Sequence, residues 1–249
     1  MKKAILVSLA FILAVCACNN KKVSSIDTPQ ETNTVSDHIP ECTGVYIPDG
    51  DSTLLHVFQP DTLIMDFDYP AFDLFSSYKI NGLKLLIGYY KASDKGEFSP
   101  YDSETDYGHR LLCFNSENEL IFTSKGAMDT YSFIPHFYRS NDKEQIVVLF
   151  QEGTEYYWGA DAYLFNGNSV QNIGYLDIEP YSSDEYNPVT ITSVTKIRKT
   201  NDSFEFTFDA DTLLISPGGR DMELVSDAKY IYTAGKLTFE KGKTLSFPR

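Results

Sequence analysis

The chain predicts an all-β, hairpin-rich domain, and three observations carry that expectation. Runs of alternating apolar and polar residues, rich in β-branched and aromatic side chains, recur from residue 54 onward. Turn-forming pairs such as Asn81-Gly82 stand between such runs. Helical periodicity is nearly missing: only Ala71 to Ser77 has the makings of a helical turn or two.

Taken in order, period-two strands are expected at Leu54 to Phe58, Leu63 to Tyr69, Gln145 to Phe150, Thr190 to Ile197 and Phe204 to Phe208. Hairpins are expected where Ser77 to Ile80 turns through Asn81-Gly82 into Leu83 to Tyr89, because Asn-Gly suits the positive φ of a type I′ turn. The same reasoning pairs Leu111 to Phe114 with Leu120 to Phe122, and Tyr163 to Phe165 with Val170 to Ile173. It also pairs Lys196 to Arg198 with Phe204 to Phe208, and Tyr230 to Tyr232 with Leu237 to Phe239. These turns follow one another at intervals of 33 to 49 residues. A propeller blade takes about 40–45 residues, so a small or irregular β-propeller fits. A β-sandwich fits as well, since it too carries turn signals every 8–12 residues or so.

The region before residue 42 is of another kind. Lys2 and Lys3 precede an apolar run from Ala4 to Val15, broken only by Ser8 and followed by Cys16-Ala17-Cys18 and Asn19-Asn20-Lys21-Lys22. Twelve residues are too few for a membrane-spanning helix, which needs about 20, and they have the length and flanks of a secretory h-region. With a small residue before a cysteine, residues 1–22 resemble a bacterial lipoprotein signal peptide. The resemblance implies that residues 1–17 are removed and that a lipidated cysteine becomes the mature N-terminus. Cys18 has Ala17 before it and Val15 three before it, which suits the pattern. Cys16 follows the branched Val15 and suits it less, although Leu13 fits upstream. One acyl chain binds a membrane only marginally, so the diacyl or triacyl group implied here makes the anchor stable. In the sorting logic of such proteins, aspartate after the cysteine favours the inner membrane. Asn19 stands there instead, which points to the outer membrane.

Residues 19–41 hold no aromatic and only four isolated aliphatics, so they cannot bury enough apolar surface to offset ordering. They read, with Cys18, as a disordered tether over 18–41, spanning about 25 Å by ~5–6 Å × √n. Residues 42–249 are one domain's worth of chain. In composition the chain is similar to the uncharacterised envelope lipoproteins of Bacteroidetes-like bacteria.

Without residues 1–17 the chain keeps 19 basic and 35 acidic residues, a net charge of −16. That excludes nucleic acid, whose binding needs Lys and Arg against phosphate, and electrostatic docking on anionic lipid. Cys42 and Cys113 remain as an even pair in an oxidising compartment, either as a disulfide or with Cys113 as a buried small hydrophobe.

Two segments offer chemistry. Gln151 to Leu164 holds the only tryptophan: Tyr156, Tyr157, Trp158 and Asp161, with Glu152 and Glu155 interleaved, make a candidate glycan-binding face. The plainer alternative puts these rings in the core, since aromatics carry large apolar area. Asp102, Glu104 and Asp106 alternate before Gly108, as the ligands of a hard cation do. The glycine falls one residue late and Cys113 stands where a loop glutamate belongs, so the alternatives are a generic cation loop and a solvated one. Zinc-protease, nucleophile-elbow, Walker and dinucleotide patterns are missing, and no cofactor is expected. Three function classes follow: a tethered module binding a glycan, peptide or envelope partner, an accessory subunit of an envelope complex, or a hydrolase using paired carboxylates.

Overall fold

The computed structural model describes residues 51–63, 69–91, 99, 101–154, 157–181, 189–216 and 221–247, with the backbone alone at 157. All described residues belong to a compact unit that runs from Pro48 to Arg249. The expected signal peptide and tether, with Cys16, Cys18 and Cys42, lie outside the described residues.

β1 (His56–Phe58) is a short strand. β2 (Asp61–Thr62), β3 (Phe72–Ile80), β4 (Leu83–Tyr90), β5 (Arg110–Phe114) and β6 (Leu120–Thr123) follow as an antiparallel meander, sheet I. β7 (Ser132–Arg139), β8 (Gln145–Gly153), β9 (Tyr157–Asn166) and β10 (Ser169–Leu176) form sheet II, with β1 added beside β7. After β11 (Glu179–Pro180) comes α1 (Ile191–Val194), one helical turn long, then β12 (Thr195–Thr200), β13 (Ser203–Phe208), β14 (Leu213–Ile215) and β15 (Glu223–Ser226). The last strands are β16 (Lys229–Thr233), β17 (Lys236–Glu240) and β18 (Lys243–Leu245). Sheet III has the order β12-β13-β16-β17 and sheet IV the order β11-β14-β15-β18. Among the described residues no helix is long and apolar enough to cross a membrane.

The fold is all-β, and its sheets lie in layers, the sandwich-like form of the two architectures that the turn spacing allows. Sheet II is the middle layer. One of its faces packs Val148, Phe150, Tyr163 and Phe165 against Leu85, Ile87, Leu111 and Cys113 of sheet I. The other packs Val147, Leu149, Ala162 and Leu164 against Phe204, Phe206, Tyr230 and Val225 of sheets III and IV. A strand covered on both faces needs apolar residues at every position rather than every second one. That is why Ile146 to Phe150 is an unbroken apolar run with no exposed residue. Hairpins do not take a layer each. The turns at Asn81-Gly82 and Asn115–Asn118 belong to one sheet, as do those at Asn201-Asp202 and Ala234-Gly235.

All five expected hairpins form. Asn81 (φ 46°) and Gly82 (φ 81°) both take the positive φ of a type I′ turn, and Ala234 and Gly235 do the same. Two expectations change. Of Ala71 to Ser77, all but Ala71 belongs to β3 rather than a helical turn, because Phe72 to Ile80 pairs along the whole of β4. At the bulge of that pair Gly88 lets the strands close up: a Cβ there would sit 1.9 Å from the Asp73 carbonyl oxygen. In Thr190 to Ile197 only the end is strand. The start coils into α1, held by Thr195 Oγ1 donating to the Ile191 carbonyl at 2.7 Å.

The chain's entry into the domain ties two layers together. Leu55 N–H bonds the Ile197 carbonyl and Lys199 N–H the Thr53 carbonyl, beside β12, before β1 joins β7. Cys113 is a fully buried free thiol, pushed above the ordinary thiol range by burial.

Candidate functional site

The segment 151–164 forms the end of β8 and most of β9, and its polar residues divide between the two faces of sheet II. Glu152 follows Phe150 by two residues and Asp161 precedes Tyr163 by two, so both carboxyls fall on the sheet I side. There each carboxyl acts on the other. Tyr163 Oη donates to Asp161 Oδ2 at 3.2 Å. Phe133, the register partner of Glu152, stacks on Phe150 with ring centroids 4.3 Å apart. Burial, then the Asp161 charge and its hydrogen bond, push Glu152 up to about 8. Burial also raises Asp161, while its bonds from Tyr163 and Glu152 pull it back. Glu152 therefore keeps its proton at neutral pH, as burial beside a like charge favours the neutral form.

On the opposite face Gln151 and Glu179 knit the layers. Glu179 accepts the Gly159 N–H at 3.1 Å and the Ile191 N–H at 3.0 Å. Gln151 Nε2 donates to the Gly159 carbonyl at 2.9 Å, and Gln151 Oε1 accepts from Thr192. Burial raises Glu179 to about 7 despite those donors. Gly159 (φ 62°) is required here, since a Cβ would meet Tyr175 Oη at 2.4 Å.

Trp158 stands at the rim between these groups. It is half-buried, its indole N–H donates to Asp177 Oδ1 at 2.6 Å, and its carbonyl accepts from Tyr175 Oη at 2.8 Å. Tyr175 feels the charges of Glu152, Asp177, Asp161 and Glu179 together, and with burial they push its phenol far above the usual range. Acids thus gather on both faces of this segment, with no basic side chain acting on Glu152 or Asp161 among the described residues.

Of the sequence-based candidates, Trp158 and Asp161 reach this rim. Asp161 turns inward to Glu152, while Trp158 bonds Asp177 from further along the chain. Tyr156 lies outside the described residues, and Tyr157 contributes backbone to β9. Glu179, Tyr175 and Asp177 were missed. The one hint was Glu179 between Ile178 and Pro180, an acid with apolar neighbours that are buried with it.

Asp102, Glu104 and Asp106 do not converge on a cation position. Arg110, buried on sheet I, takes Asp102 Oδ1 at 2.5 Å and Asp106 Oδ1 at 3.3 Å, while Glu104 is exposed. The Arg110 guanidinium lies 5.1 Å from the Tyr90 ring centre, and Tyr101 stacks on Tyr90. The loop is held by an internal cation, and no group of three or more metal-binding side chains exists among the described residues.

His109 bonds Thr130 Oγ1 at 2.9 Å within a ring cluster of Phe75, Tyr89 and Phe133, and burial lowers its pKa. At the far end of β8 an open polar cleft of about 490 Å³ is lined by Ser52, Ser140, Asn141, Asp142, Lys199 and Asn201. Lys199 and Asp142 pair across it at 3.1 Å. Compared with known proteins, the chain matches no family model, no curated protein and no solved structure.

Proposed function

We propose that this is a cell-envelope binding module, lipid-anchored at Cys18 in the outer membrane, which takes a glycan at the rim of Trp158, Tyr175 and Asp177. The observation that carries the reading is the half-buried Trp158, fixed by Asp177 beside a second ring. A fixed aromatic face offers apolar contact to a sugar ring, and carboxyl groups around it accept from hydroxyls.

Two measurements test the reading. Fatty-acid labelling should persist in Cys16→Ser and vanish in Cys18→Ser; label retained by Cys18→Ser refutes the anchor. A panel of envelope and host glycans, titrated while Trp158 emission is followed, should contain at least one that changes it. Trp158→Ala should lose that glycan at least tenfold in affinity. A bound glycan that Trp158→Ala retains at full affinity refutes the site.

A further inference from the structure

Three arginines fall among the described residues, and two of them are matched with acids: Arg110 with Asp102 and Asp106, Arg198 with Asp51. Arg139 pairs with no carboxylate among the described residues, although the chain carries a net charge of −14 and acids are in surplus. It ends β7 on the sheet I side, two residues after Phe137. Its guanidinium carbon lies 3.8 Å from the centre of the Phe58 ring, which meets Phe137 edge-on at 6.0 Å. A carbon that close to a ring centre is in stacking contact, so the N–H groups of the guanidinium fan out past the ring rather than into it. The side chain is half-buried, and its Nε–H is enclosed with no acceptor. An enclosed donor left unpaired is costly, and few buried groups in a native protein stay so. The neighbours are spent on other partners. His56, the register partner of Arg139 on β1, is bonded through Nε2 to Asn141 Oδ1, and Asn141 Nδ2 donates to the Ser52 carbonyl at 2.7 Å. In the β7–β8 turn, Asp142 accepts from Ser140 Oγ, from the Glu144 N–H at 3.1 Å and from Lys199 Nζ at 3.1 Å.

We propose that Arg139, stacked on Phe58 at the edge of sheets I and II, is a binding site for the carboxylate group of a ligand. A guanidinium fixed in one plane matches the two coplanar oxygens of a carboxylate and takes them as a bidentate pair. The site supplies one positive charge inside a negatively charged molecule, which suits a monoanion and disfavours a phosphate dianion. It is independent of the Trp158 rim: Arg139 pairs with Ile146 near the start of β8, and Trp158 follows the opposite end of that strand. A uronic-acid sugar and a simple carboxylic acid share the required chemistry, and their affinities tell them apart.

The chain has only five arginines, so the Nε–H signals of the ¹⁵N-labelled full-length protein are few enough to assign, with Arg139 identified by its loss in Arg139→Lys. Glucuronate, acetate, glucose and inorganic phosphate are titrated in turn at low, constant ionic strength, which limits screening. Glucuronate should shift the Arg139 signal saturably, while those of Arg110 and Arg198, already held by acids, stay in place. Glucose, which has the ring without the charge, should leave the signal unmoved. Glucuronate binding at least tenfold tighter than acetate identifies an acidic sugar as the source; equal affinities identify the carboxylate alone, and either supports the site. Arg139→Lys keeps the charge and loses the planar fork, so calorimetry should show glucuronate affinity reduced about tenfold. Phe58→Leu, which removes the stacking ring, should weaken binding several-fold. An Arg139 signal that responds to neither carboxylate overturns the site. So does tighter binding of phosphate than of both carboxylates, or glucuronate affinity that Arg139→Lys leaves unchanged. Should Arg139→Lys fail to fold, full affinity in Phe58→Leu overturns the stacked site equally.

Discussion

Arg110→Ala should destabilise the domain more than any change on the exposed face of the same loop. The Arg110 and Asp102 side chains are only 2% and 6% exposed, and their contact is 2.5 Å. Removing the guanidinium leaves Asp102 buried beside Asp106 with no counter-charge. Burial already outweighs Arg110 in setting the Asp102 carboxyl, which sits above its ordinary pKa. Breaking a buried pair on one side costs about 3–5 kcal/mol. Loss of the Tyr90 contact adds about 1 kcal/mol. With a urea m-value of about 2 kcal/mol/M, the low end of that sum moves the unfolding midpoint by roughly 2 M. The assay is urea unfolding followed by far-UV circular dichroism. The double change Arg110→Met with Asp102→Leu should recover most of the loss, since an apolar pair of similar volume leaves no buried charge. An Arg110→Ala variant within about 1 kcal/mol of wild type would show that the loop is not held by this pair. The argument for an internal cation in the acidic loop would then fail.

Two further changes probe the middle layer and its acids. Phe150→Ala should cost about 3–5 kcal/mol, because its fully buried ring lies between Phe133 and Tyr163; Val57→Ala, at 73% exposure, should stay within about 0.5 kcal/mol, and equal melting temperatures for the two would refute the layering. Glu179 is raised from an ordinary 4.5 to about 7, so the folded state keeps its proton where the unfolded chain has lost it. The stability this provides is complete below about pH 4.5 and disappears as pH rises through 7, a change on the order of 3 kcal/mol. Glu179→Gln should therefore flatten stability against pH between 5 and 7, and an unchanged slope would count against burial as the cause.

Local signals were readable wherever one strand could speak for itself. The five hairpins are legible because Asn81-Gly82, Ala234-Gly235 and their equivalents answer a purely local demand, a positive φ at the turn. The unbroken run Ile146 to Phe150 was legible as a strand, but not as the middle of three layers. Apolar residues on both faces say that both are covered without saying by what. Ala71 to Ser77 and Thr190 to Val194 exchanged their expected helix and strand characters because pairing with β4 and capping by Glu179 overrode weak local preferences.

The site was half legible for the same reason. Trp158 and Asp161 attract attention as residue types, and Glu152 stands close to them in sequence. Their real partners, Tyr175, Asp177 and Glu179, come from 14 to 27 residues further on and from another strand. Likewise, the alternating Asp102, Glu104 and Asp106 suggested a cation, and the cation supplied is Arg110, only four residues beyond Asp106.

Sequence alone determined the β character, the turn positions and the expectation of an N-terminal lipid anchor, since each depends on neighbours within a few residues. Tertiary structure decided which faces are covered and which acids lose water. Those outcomes depend on distances between strands, and the charge of a group such as Glu152 follows from the dielectric and the carboxyl beside it, which no local pattern encodes.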